Sequence, residues 1–215
     1  MLSNAQPLNL IVIIFFLSLI PIFIILTTSF IKIAMVLIMT RESLGVQQVP
    51  PNIVMYAMSL ILTFYVMSPV YSNSYQEFTK LSDGNISVAQ ITQLYDVSSA
   101  PLKKFMLKHS DKDDQIYFYN TLQKFWGKDM MKSVKRDDLI VLIPAFMVNE
   151  LNQGFKIGFL IYLPSIIIDI IVSNILMAMG MQMMSPVTIS LPIKLLLFIT
   201  LGGWTNLIGA IMRSY

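Results

Sequence analysis

The sequence predicts an all-α membrane protein of kinked and broken helical hairpins with a small helical insert outside the cytoplasm, and three observations predict it. Of 215 residues, 55% are apolar and only 13% charged, against roughly 25% charged in a soluble domain. The charges are also unevenly placed, because the stretch from Tyr71 to Asp138 holds most of them. Apolar runs near the roughly 20 residues that a helix needs to cross a bilayer recur on both sides of it. The chain therefore divides into an N-terminal apolar hairpin (1–70), a polar helical insert expected on the periplasmic side (71–138), and broken apolar helices with a Met-rich loop (139–215).

The first candidate span, Leu8 to Phe30, lies in a stretch with no charged side chain before Lys32. It has no basic flank and no small-residue cleavage site, so it is expected to be retained and not removed as a signal peptide. Pro21 is expected to kink it. Ile33 to Met39 continue the run to a polar turn, Arg41 to Asn52, where Gly45 and Pro50-Pro51 end the helix. Ile53 to Val70 is barely long enough to span. Together the two runs predict a helical hairpin, and Lys32 and Arg41 put its loop on the cytoplasmic side.

Short amphipathic helices are expected in the insert, one capped by Ser87 and another by Asp111. On the second, Ile116, Tyr119, Leu122 and Phe125 or Trp126 recur at helical spacing, a stripe that would pack a small water-facing domain. Ser82-Asp83-Gly84-Asn85 is a turn. Beyond Leu139 the apolar runs are interrupted by Pro144, Glu150, Asn152, Lys156, Pro164, Asp169 and Asn174. This predicts a short helix over Leu139 to Val148, a break between Met181 and Pro192, and a last run weakened at Gly202-Gly203. Hydropathy gives about four spanning-length runs.

Much chemistry is excluded. With no cysteine and a single histidine, His109, the chain carries no thiolate site and no multi-histidine metal cluster. Bases and acids interleave along Lys108 to Asp114, so no stripe for nucleic acid forms. Neither a Walker loop nor a dinucleotide fingerprint is present. No catalytic residue, metal ligand or cofactor is assigned, and any transport would draw its energy from other subunits or an ion gradient.

Three constellations remain. Glu150 and Lys156 are costly charges between apolar runs, and six residues apart they sit about 120° around a helix, too far round to pair well. A pair between adjacent identical subunits would solve this, and snorkelling of both to the headgroups is the alternative. Asp169 has the most apolar surroundings of any charge. An aspartyl protease needs a second carboxylate in the same setting, and none is present, so a protonated or hydrogen-bonded aspartate between packed helices is expected. Five methionines lie among the eight residues Met177 to Met184. They either fill irregular helix contacts or, at a helix break, form a flexible apolar ring that closes a wide pore. A secondary transporter with a midplane site around Lys156 and Asp169 is the rival reading, but no internal repeat relates Leu8 to Val70 with Leu139 to Met212.

Phe30-Ile31-Lys32, Arg41 to Asn52, Leu142 to Phe146, Phe155 to Phe159 and Met184 to Pro192 together resemble the FliP/SctR family of flagellar and virulence-associated type III export proteins. The resemblance covers nearly the whole chain and leans to the virulence branch. It implies a core subunit of the export gate and not an enzyme. Five copies would assemble with a small two-helix subunit and one larger related subunit into a conical channel for unfolded secreted substrates. That complex would belong to the bacterial inner membrane and extend to its periplasmic side, so that apolar runs become protein contacts as well as lipid contacts. The resemblance also implies a gasket at Met181, Met183 and Met184, with Gln182 departing from an unbroken Met run, and contacts between subunits through Glu150 and Lys156.

Overall fold

A computed structural model describes residues 7–46, 48–81, 88–131, 134–181 and 183–215. Among these residues all regular structure is helical. The elements are α1 (Pro7–Thr27), α2 (Phe30–Ser43), α3 (Asn52–Leu81), α4 (Val88–Lys108), α5 (Lys112–Met130), α6 (Leu139–Ala178), α7 (Pro186–Thr200) and α8 (Gly203–Arg213). The expected Ser87 cap, the 82–85 turn and Gln182 fall outside the described residues.

The first apolar run is not one helix. It is interrupted at Thr28 and Ser29, after which α2 starts at Phe30. The hydroxyls of Thr27 and Thr28 donate back to the carbonyls of Phe23 and Ile24 at 2.7 and 2.6 Å, which satisfies them where no water is needed. The hairpin of α2 and α3 forms around the predicted turn. Gly45 ends α2 with φ of +77°, a left-handed conformation that costs glycine little. Arg41 closes the loop from inside: its Nη1 donates to the Pro50 carbonyl at 3.0 Å and to Asn52 Oδ1 at 2.6 Å.

Several helices are longer than predicted. Instead of ending at Val70, α3 runs through Pro69 to Leu81. The expected short helix over Leu139 to Val148 is the first part of α6, a continuous 40-residue helix that carries Pro144 and Pro164 inside it. Each proline removes one backbone hydrogen bond, and packing of α6 against α2, α4, α5 and α7 outweighs that loss. The break between Ala178 and Pro186 overlaps the first part of the predicted Met181 to Pro192 interval. Pro186 opens α7 at its first turn, where a missing N–H costs nothing, and Pro192 lies inside the helix. Asp111 caps α5 as predicted, its Oδ1 accepting from the Asp113 N–H at 3.1 Å. The α5 stripe is only partly covered: Tyr119 and Leu122 are half-buried, whereas Ile116 and Trp126 are exposed and Phe125 is 82% exposed.

The core is built around α2. Ile33, Val36 and Leu37 pack with Met55 of α3 and Leu207 and Ile211 of α8. A second cluster joins Met106 of α4 to Leu142 and Phe146 of α6. The largest helix contact is α2 on α6, and it is close because α6 presents Gly154 and Gly158, both buried, one turn apart. A Cβ on Gly154 would stand 3.2 Å from Met35 Sδ and 3.5 Å from the Lys32 Cα, and one on Gly158 would overlap Met39. Two glycines on one helix thus receive two methionines on the other, the small-residue packing that lets apolar helices approach.

Among the described residues three helices are long and apolar enough to cross a membrane, α1, α3 and α6, or four spans if the α7–α8 pair, bent by 63°, counts as one. The side chains of α1 from Leu10 to Phe23 are largely exposed, an apolar surface suited to lipid or to protein neighbours.

Candidate functional site

The α6–α7 hairpin carries the Met-rich segment at its tip. The end of α6 has a Schellman geometry: the Met181 N–H donates to the Leu176 carbonyl at 2.9 Å and the Gly180 N–H to the Met177 carbonyl at 3.1 Å. Gly180 makes this possible with φ of +72°, turning the chain sharply at the point where the methionines are densest. Met183 is 100% exposed, and Met181, Met184, Met177 and Met179 are also exposed. They do not fill helix contacts within this chain, which is the outcome that their commonest use would have given.

Two residues of α7 hold the hairpin shut below the tip. Asp169 on α6 accepts from Ser190 Oγ at 2.6 Å and from Lys194 Nζ at 2.6 Å. Lys194 is almost fully buried while the Asp169 side chain remains partly exposed. Asp169 is therefore hydrogen-bonded between packed helices, as its surroundings required. A cavity of 530 Å³ between α6, α7 and α8 has Lys194 in its wall among Ile161, Pro164, Ile168 and Leu197.

Glu150 lies at the other end of α6 in a buried node. Its carboxylate is fully buried, with Lys32 Nζ of α2 at 3.0 Å. The Tyr215 hydroxyl donates to Glu150 Oε2 and sits 3.3 Å from the Ser29 carbonyl oxygen. Lys32 Nζ also stands 3.8 Å from the centre of the Tyr215 ring, a cation–π arrangement at a buried site. Phe105 stacks on that ring at 6.2 Å, and His109 packs against it at 5.3 Å with the rings tilted by 59°. Lys108 Nζ donates to the Tyr215 carbonyl oxygen at 2.8 Å. Burial, reinforced by the charges of Lys108 and Lys32, lowers the His109 pKa to about 4, so the imidazole is neutral at pH 7 and places no third positive charge beside Lys32.

Lys156 takes no part in either cluster. It is exposed, and no described carboxylate forms an ion pair with it. Thirteen residues separate it from Asp169 on a continuous helix, about 20 Å at 1.5 Å per residue. A transporter site shared by Lys156 and Asp169 is therefore not formed. Among the described residues no cluster of histidine, aspartate and glutamate suited to a metal ion occurs.

The FliP family model matches residues 13–211 of the chain. This chain belongs to the FliP family. Three curated relatives align over almost their whole length with this FliP-family chain. The harpin secretion protein HrcR of Erwinia amylovora is 47% identical over 93% of this chain and 92% of its own. Yop proteins translocation protein R of Yersinia pestis is 42% identical over 100% and 99%. Virulence protein YscR of Salmonella typhimurium is 42% identical over 98% and 97%. The virulence leaning of the sequence is thus matched in the relatives of this FliP-family protein.

Sequence reasoning missed three partners in the FliP-family site: Lys32 for Glu150, Lys194 for Asp169, and Tyr215. Lys32 and Lys194 were detectable as lone cations in otherwise apolar runs, the mirror of the argument made for the two acids. Nothing at Tyr215 marks it. The Asp169 clasp gives a test: Asp169→Ala should cost about 1 to 2 kcal/mol, the lower part of the range for a stranded buried partner, because the carboxylate is partly solvated. Asp169→Asn, which keeps an acceptor for Ser190, should cost less. Thermal unfolding of the purified protein in detergent reads both, and an alanine variant as stable as the parent would contradict the clasp.

Proposed function

We propose that this protein is a core subunit of a type III protein-export gate in the bacterial inner membrane, of the virulence branch. In this reading it assembles as a pentamer with a small two-helix subunit and a larger related subunit. Together they form the channel through which unfolded effector and needle substrates leave the cytoplasm. The single observation that carries the reading is the exposed, sharply turned segment with Met183 at full exposure. A helix tip that shows several thioether side chains to solvent needs a reason, and apolar contact with the same tips of neighbouring copies supplies one.

Mechanically, the Asp169 to Lys194 and Ser190 clasp fixes the α6–α7 hairpin, so each copy presents its tip at one height. Met181, Met183 and Met184 from several copies then meet on the axis and exclude water and ions. Methionine is unbranched and has three rotatable side-chain bonds, so the ring yields to a passing polypeptide and closes behind it. The length of α6 supports assembly. Its 40 residues reach about 60 Å, twice the roughly 30 Å of a hydrocarbon core, so part of its apolar surface needs cover from protein. Lys156, exposed on α6, is available for contact with a neighbouring copy or with lipid headgroups.

Deleting Met181 to Met184 is expected to make cells that express the assembled complex leak small solutes, measured as dye or ion flux across the inner membrane. Equal permeability of assembled deletion and parent complexes would sink the seal.

A further inference from the structure

The chain has 16 methionines and no cysteine, so thioethers are its main target for mild oxidants. The fold sorts them. Met55, Met67 and Met106 are fully buried, while Met177, Met179, Met181, Met183 and Met184 crowd exposed around one turn. The residues that would seal the channel are therefore among the exposed methionines, with Met183 the most exposed of all. Oxidation changes a flexible apolar side chain into a polar, chiral sulfoxide that retains water, which opposes the property that a seal needs.

We propose that the Met181, Met183 and Met184 segment is a reversible oxidation site, with hydrogen peroxide as oxidant, and that its sulfoxide form unseals the channel. The permeability part rests on the seal proposed above. In the reaction a sulfur lone pair attacks one peroxide oxygen, an S–O bond forms and the O–O bond breaks. Sulfur is oxidised by two electrons and the peroxide is reduced. The proton on the transferred oxygen passes to the departing hydroxide, leaving a sulfoxide and one water. Reduction takes two enzyme classes, one for each sulfoxide epimer. Within one chain Met183 is more exposed than Met181 and Met184, so of the three it should react first, from the aqueous faces of the ring.

The test uses membrane vesicles that contain the assembled complex, treated with hydrogen peroxide, with sulfoxide quantified at each methionine by peptide mass spectrometry and ion flux measured in parallel. Loop methionines are expected to oxidise about tenfold faster than Met55, Met67 and Met106, and flux to rise about tenfold and fall again after both reductases are added. A Met181→Leu, Met183→Leu, Met184→Leu variant cannot take up oxygen at these positions, so peroxide should leave its flux at its own untreated value. Loop methionines that react no faster than the buried ones overturn the site. Oxidised vesicles that stay tight while the Met181 to Met184 deletion leaks overturn the unsealing. A deletion complex that does not leak removes the seal, and the unsealing with it, whatever the oxidation map shows.

Discussion

Glu150→Gln is expected to destabilise the protein by about 3 to 5 kcal/mol, because it leaves the Lys32 ammonium buried without a counter-charge. The site offers little relief. The Lys32 and Glu150 side chains are 3% and 0% exposed, and the Tyr215 ring at 3.8 Å is the remaining attraction for the cation. Glutamine can still accept from the Tyr215 hydroxyl, so the loss isolates the charge and not the shape. Lys32→Met should cost a similar amount by stranding the carboxylate. The double variant Lys32→Met, Glu150→Leu should recover much of the loss, since two apolar side chains in such a place are often as stable as the ion pair. Unfolding midpoints in detergent for the two singles and the double decide it. Additive losses would mean that the two residues act separately.

Gly158→Leu is expected to cost about 3 kcal/mol by overpacking the α2–α6 contact, at the upper end of the range for added core volume. Met39 can swing aside for a single methyl group, so Gly158→Ala should be mild, but a leucine would press on α2 itself. The same displacement would draw Lys32 away from Glu150, because α2 carries Met35, Met39 and Lys32 on the face that α6 meets. A shortened Met39→Ala side chain should therefore partly rescue Gly158→Leu, although it also removes apolar contact. A Gly158→Leu protein with the parent's unfolding midpoint would show that the helices are not in tight contact there.

Local chemistry was legible in the sequence. Gly45 and the paired prolines located the hairpin turn, Asp111 capped its helix, and Gly180 and Pro186 bracketed the break, because each acts through its own backbone and near neighbours. Pro144 and Pro164 misled, since a proline states only that one hydrogen bond is lost and not whether neighbouring helices compensate. The spacing of Gly154 and Gly158 is visible beside Lys156, but it does not tell which helix brings the methionines that fill it. The α5 stripe had the right period, but only Tyr119 and Leu122 of it are half-buried, and periodicity does not tell how much of a face finds cover. At the site, single residues could be marked as costly, and Glu150 and Asp169 were. Their partners come from other helices, and a pattern of spacing along one helix holds no information about which cation approaches from another.

The buried node also has a consequence for how the protein is made. Ser29 and Tyr215, joined there, are 186 residues apart. At ribosomal speeds of about 5 to 20 residues per second, roughly 10 to 40 s pass between their syntheses. For most of that interval Lys32 sits in an apolar segment, first without Glu150 and then without the tyrosine that covers the pair. The first hairpin is therefore complete well before the charge it carries is compensated, and the ion pair cannot guide the folding of that hairpin.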